Sequence, residues 1–198
     1  MLTDRKNTST ADIVKKETAI LHQALENHLI PHLQAIQSNQ DYAQVLSWFF
    51  GFNLPVEQSI RQYVTAEQLP DIEDRGKAWL AKEDIESLSF ATSNLKICKD
   101  LPRIGSVEEA MGALYVLEGS TLGGKIIAKM LEKKNPEFRN SLRFFTGYGK
   151  ETGSRWTYFL HHLNMFDSDG QVRIITASAN ETFLKFKYWI EYNLQVIK

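Results

Sequence analysis

The chain has 198 residues, 43 % hydrophobic and 24 % charged, with a formal net charge of −1. This is ordinary globular composition for about one domain, and it excludes disorder as the dominant state. The near-zero charge argues against a dedicated nucleic-acid binder. One cysteine, Cys98, leaves no intramolecular disulfide and no thiolate cluster. The first ten residues are polar, unlike a secretory signal, and no run approaches the ~18 apolar residues of a membrane span. The expectation is a soluble, cytoplasmic monomer.

Eleven glycines and five prolines are sparse against the ~12 % of average usage. The first predicted helix runs from about Thr10 to Leu29, capped by Thr10 or Asp12, with Pro31 just past its end. Val14, Leu21, Leu25 and His28 form its apolar stripe. A second, aromatic-rich helix spans Asp41 to about Tyr63, with a kink or break expected at Pro55. A third covers about Glu73 to Ser93. A fourth starts at Ser106 with an acidic first turn and reaches about Lys134. Arg139 to Gly153 reads as a loop. Two helices close the chain, about Ser154 to Asn164 and Asp169 to Val196. Period-2 alternation is hard to find. The fold class is all-α, a multi-helix bundle of six to eight helices. Residues 1–9 are expected to form a flexible N-terminal segment and 10–198 the single helical domain.

Two features exceed generic helix packing. Glu118-Gly-Ser-Thr-Leu-Gly-Gly124 interrupts a strong helical pattern. Each glycine costs about 1 kcal/mol relative to alanine in a helix interior. Gly119 and Gly123, four apart, clear one helix face for a flat object or another backbone. A close helix crossing or a glycine turn explains the same spacing. A phosphate loop does not, because Lys125 is followed by Ile126 and no strand precedes.

The second feature is His22, with Thr18 at i−4, Glu26 at i+4 and Lys15 at i−7 on one face. A neutral imidazole there suits a metal, its other nitrogen held by an acceptor such as Glu26. A plain surface histidine is the competing reading. His28 and His32 are four apart but flank Pro31, and the adjacent His161 and His162 diverge. One histidine on a first helix and a glycine-opened helix elsewhere suggest a planar iron cofactor between two helices.

At these residues the sequence resembles a family. Tyr115-Val-Leu-Glu-Gly-Ser-Thr-Leu-Gly-Gly124 is similar to the distal-helix signature of bacterial biliverdin-producing haem (heme) oxygenases. Thr18-x-x-x-His22-x-x-x-Glu26 is similar to their proximal helix. Segments around Asp41-Tyr42, Phe144 to Gly149, Arg155-Trp156 and Glu181 to Phe183 follow in the family's order, from about residue 10 to 195.

The resemblance implies an enzyme that cleaves haem, with O2 and electrons from a ferredoxin or flavoprotein reductase, to biliverdin, carbon monoxide and ferrous iron. His22 matches the iron ligand, and Thr18 and Glu26 its helix neighbours. Gly119 and Gly123 match the glycines over the distal haem face, and Gly124 closes that motif within the cofactor-binding set. Ser120 stands where mammalian-type enzymes carry an aspartate. Lys15 and Tyr115 match propionate contacts; Arg155 or His161 is the candidate for the second propionate. A haem carrier or sensor without turnover is the alternative.

Overall fold

The computed structural model describes residues 8–195. Most of the expected N-terminal segment, residues 1–7, lies outside the described residues, as do 196–198. Ser9, at the end of that segment, caps the first helix, its hydroxyl accepting from the Asp12 N–H.

Among the described residues there are seven α-helices and no strand. Helix α1 spans Thr10–Ala35 and runs through Pro31. Buried Leu33 and Ile36 hold its last turn in the core, so tertiary packing overrides the proline signal. Helix α2, Asn39–Ile60, begins with a capping box rather than at Asp41 itself. Asp41 N–H donates to the Ser38 hydroxyl, and the Asp41 carboxylate accepts from Ser38 N–H at 3.0 Å. Pro55 lies inside α2.

The third helix is shorter than its sequence pattern. A 3₁₀ turn covers Ile72–Asp74, and α3 spans only Ala78–Ser87. Gly76 between them has φ +107°, which no helix accepts, and Ser89 at φ 68° ends the run. Helix α4, Val107–Lys134, passes unbroken through all three glycines of its motif. Ser106 caps it, Glu108 and Glu109 face its positive end, and Lys133 and Lys134 its negative end.

The expected loop from Arg139 to Gly153 is instead a relay of short turns. A 3₁₀ helix over Pro136–Ser141 leads to α5, Arg143–Thr146, and a 3₁₀ turn over Gly149–Glu151 leads to α6, Thr152–Leu163. Distant groups hold the relay. Buried Asp84 of α3 accepts from the Phe144 N–H at 2.8 Å, and Tyr42 donates to the Ser141 carbonyl at 2.7 Å. Helix α7, Asp169–Gln195, completes the chain.

Buried apolar residues from all seven helices form one contiguous cluster. Helix α7 is its spine. It meets α1 where Phe183 lies 5.2 Å from the His22 ring, centroid to centroid. It meets α4 where Ser178 donates to the Glu109 carbonyl at 2.6 Å and Gly112 lies against the Ile175 carbonyl. No described helix is long and apolar enough to cross a membrane.

Candidate functional site

Helices α1 and α4, both braced on α7, approach each other at Thr18 and Tyr115. Thr18 is buried and donates to the Val14 carbonyl at 2.7 Å. The Tyr115 hydroxyl is within its hydrogen-bonding reach; burial raises the Tyr115 pKa and the Thr18 contact opposes that rise. One turn beyond Thr18, the His22 imidazole is about half exposed (53 %), with Nε2 3.3 Å from Glu26 Oε1. Lys15 is exposed on the same side of α1.

One turn beyond Tyr115 lies Gly119. A Cβ placed there would meet only the edge of Trp156, at 3.5 Å, an ordinary contact. At Gly123 it would meet nothing within 4 Å. Neither glycine is demanded by packing, so a close helix crossing does not explain them.

Gly124 is different. It points about 100° around the helix from Gly123, and a Cβ on it would sit 2.2 Å from the Phe145 carbonyl oxygen. Its missing side chain lets α5 pack on α4, and it is turned away from the open face. This contact accounts for the glycine requirement at Gly124, which the resemblance set among the cofactor-binding residues, by packing alone. Gly112, which the sequence pattern left unremarked, does the same against α7, 2.3 Å from the Ile175 carbonyl.

Ser120 is exposed, its hydroxyl donating to the Leu117 carbonyl at 2.6 Å. Ile126, 74 % exposed, and Leu122 extend the uncovered apolar surface of this side of α4.

Arg155 is engaged elsewhere. Its Nε donates to Glu151 at 3.2 Å, its Nη1 lies 3.8 Å from Asp71, and its guanidinium covers the Tyr148 ring at 4.8 Å. His161 is exposed nearly two turns further along α6. Among the described residues, no group of three or more His, Cys, Asp or Glu could hold a metal.

Sequence reasoning named Trp156 and Glu118 without giving either a role. The Trp156 ring lies 5.4 Å from the Tyr115 ring and flanks Gly119. Glu118 is 3 % exposed, accepting from Arg75 Nη1 and from the Tyr148 hydroxyl, the latter at 2.8 Å. Its position beside Leu114 and Leu117 was the available signal: a carboxylate on an apolar face needs a buried partner. Nothing in the sequence singled out the partner, Arg75.

Beside this pair lies Lys77, buried over the Phe144 ring with its ammonium 5.1 Å from the centroid. Burial pushes its pKa down to about 8, against the pull of Glu118 and Glu57. Burial likewise raises the Glu57 carboxyl, although the Lys77 and Ala78 N–H groups donate to it.

Comparison with known proteins gives one consistent answer. The family model described as Heme oxygenase matches residues 8–192. A 44-residue stretch is 46 % identical to a heme oxygenase of Xanthomonas campestris pv. campestris (strain 8004). It covers 22 % of this chain and 27 % of that relative. The fold superposes on the NO- and CO-bound heme oxygenase from Neisseria meningitidis with a TM-score of 0.82. That match has 22 % identity and covers 94 % of this chain and 92 % of the other.

Proposed function

The chain belongs to the haem oxygenase family, and from that premise we propose that it cleaves haem to biliverdin, carbon monoxide and ferrous iron. In this reading the porphyrin lies between the His22 turn of α1 and the Gly119/Gly123 face of α4. The observation that carries it is the emptiness over Gly123 and the ordinary spacing at Gly119, set against the tight contacts at Gly112 and Gly124. Two helix-weakening residues with no packing reason leave bare backbone on α4 from one turn past Tyr115, and α1 carries a half-exposed imidazole one turn past Thr18, which Tyr115 reaches. Those are fitting walls for a flat, iron-bearing ring.

Bound haem supplies both the iron that activates dioxygen and the ring that is cleaved. The protein's residues supply position and charge. The His22 imidazole offers one neutral nitrogen, and Glu26 restrains the ring's rotation. The uncovered backbone at Gly119 and Gly123 leaves room for dioxygen and presents no acidic side chain to it. Ser120 spends its proton on the Leu117 carbonyl and keeps its lone pairs for an ordered water.

The Lys15 ammonium would attract a propionate, and the Tyr115 hydroxyl would offer a second hydrogen-bonding contact to it. These contacts set the rotation of the ring and so the carbon that is attacked. Arg155, already paired with Glu151, is the weaker candidate for the second propionate. We propose that electrons come from outside, from a ferredoxin or a flavoprotein reductase, as the reaction requires a donor and the family resemblance implies one. We further propose that the protein acts as a cytoplasmic monomer.

The test is an absorbance time course with one equivalent of haem, a reductase system, oxygen and catalase. Decay of the haem band with growth of a bilin band supports the proposal. A stable ferrous or oxygenated spectrum overturns it in favour of haem carriage or sensing. His22→Ala is expected to abolish both the imidazole-bound spectrum and turnover while leaving the melting of the haem-free protein within about 0.5 kcal/mol, as for other exposed positions.

A further inference from the structure

We propose that Arg75 is a positioning residue for this site: its guanidinium fastens the α4 turn carrying Gly119 to the α6 turn carrying Trp156. The inference rests on the haem reading above and adds to it what holds the glycine face in place.

Glu118 immediately precedes Gly119, and Arg155 immediately precedes Trp156. One buried guanidinium touches both. Its Nη1 donates to Glu118 Oε2, and its Nη2 donates to the Arg155 carbonyl at 3.0 Å. Asp71 grips the fork from the other side, accepting from Nε and Nη2 at 2.8 Å each. Asp71 fixes the plane of the fork, and the remaining donors bridge two helices.

The loop carrying Arg75 is itself anchored. The Glu57 carboxylate of α2 accepts from the Lys77 N–H at 2.8 Å and the Ala78 N–H at 3.1 Å. Tyr148 closes the second oxygen of Glu118.

The consequence is felt at the open face. Among the described residues Trp156 is the only neighbour that a Cβ on Gly119 would meet, and it leans on Tyr115, which reaches Thr18 of α1. Sliding α4 against α6 moves this whole wall. A buried ion pair is weak evidence for stability, and its better-attested use is to fix one arrangement among several. The bridge also requires a planar fork, which lysine lacks.

Two variants test this: Arg75→Lys, and the double variant Arg75→Met/Glu118→Met, which removes both members of the most deeply buried pair and leaves the partly exposed Asp71 near Arg155 Nη1. The first readout uses haem-free protein. Trp156 emission is isolated by subtracting the spectrum of the same protein carrying Trp156→Phe. Both variants are expected to red-shift this emission and raise its acrylamide quenching on the order of twofold, as a loosened local contact does.

The second readout is the haem-loaded protein. Turnover is expected to fall about tenfold or more, as for a small misplacement of reacting groups, with a changed ratio of biliverdin isomers. Unchanged Trp156 emission and an unchanged isomer ratio, alongside a lower melting temperature, overturn the proposal and leave Arg75 a purely stabilising residue. If the parent protein makes no bilin, the haem reading falls, and the Trp156 readout alone decides the role of Arg75.

Discussion

Helix α4 carries two kinds of glycine site, packed and open, and they mean different things. Gly112, against α7, and Gly124, against α5, sit where a Cβ would collide with a backbone carbonyl at 2.3 and 2.2 Å. Gly119 and Gly123, further along the face that Gly112 shares, have ordinary contact or none among the described residues. The same residue type, at nearly the same helix-propensity cost, serves architecture in one case and leaves a surface free in the other. Glycine spacing alone cannot separate them; the test is what occupies the space where the side chain is missing.

The largest expected effect breaks the packed sites. Gly124→Ala pushes a methyl group into the Phe145 carbonyl, and neither backbone shifts cheaply. A loss on the order of 3 kcal/mol, read as a lower urea midpoint, is expected. Gly112→Ala behaves alike against α7.

Buried charges also lie in the packed interior, at Arg75, Lys77 and Glu118, so stability there depends on pH. The Lys77 pKa falls from 10.5 to about 8 on folding. Between those values the unfolded chain binds more protons than the folded one. Folding therefore gains stability as pH rises through that window, and below it the full burial penalty is present. Lys77→Met is expected to stabilise the protein at pH 7 by on the order of 2 kcal/mol. The advantage should shrink by pH 10 in paired urea titrations. An advantage independent of pH contradicts a buried ammonium at Lys77.

The open sites respond in the opposite sense. Gly123→Ala and Gly119→Ala are each expected to stabilise the haem-free protein by about 0.5–1 kcal/mol, because nothing is displaced. Smallest of all in stability is Lys15→Glu at an exposed site, expected within about 0.5 kcal/mol. Its effect should appear in the biliverdin isomer ratio, measured chromatographically.

Much of the molecule is legible in its sequence. The all-α fold follows from helical spacing and from absent alternation, and Ser106 and Lys134 correctly bound the pattern of α4. Errors fall where distant groups decide local structure. Pro31 reads as a stop, yet Leu33 and Ile36 carry α1 past it into the core. The turns between Arg139 and Gly153 are too short for periodicity and are held by Asp84 and Tyr42 from other helices.

The candidate site divides in the same way. His22, Glu26, Thr18 and Lys15 share a face by helical spacing alone. Gly124 cannot be told from Gly123 without its neighbour Phe145. The Arg75–Glu118 pair joins residues 43 apart and leaves no local trace.

The most direct test of the central claim is one protein carrying both Gly119→Ala and Gly123→Ala, measured for melting without haem and for bilin formation with it. The account predicts a melting temperature higher by about 2–4 °C per kcal/mol gained, together with slower bilin formation. A higher melting temperature with undiminished bilin formation would show that the open glycines serve no ligand and would contradict the account.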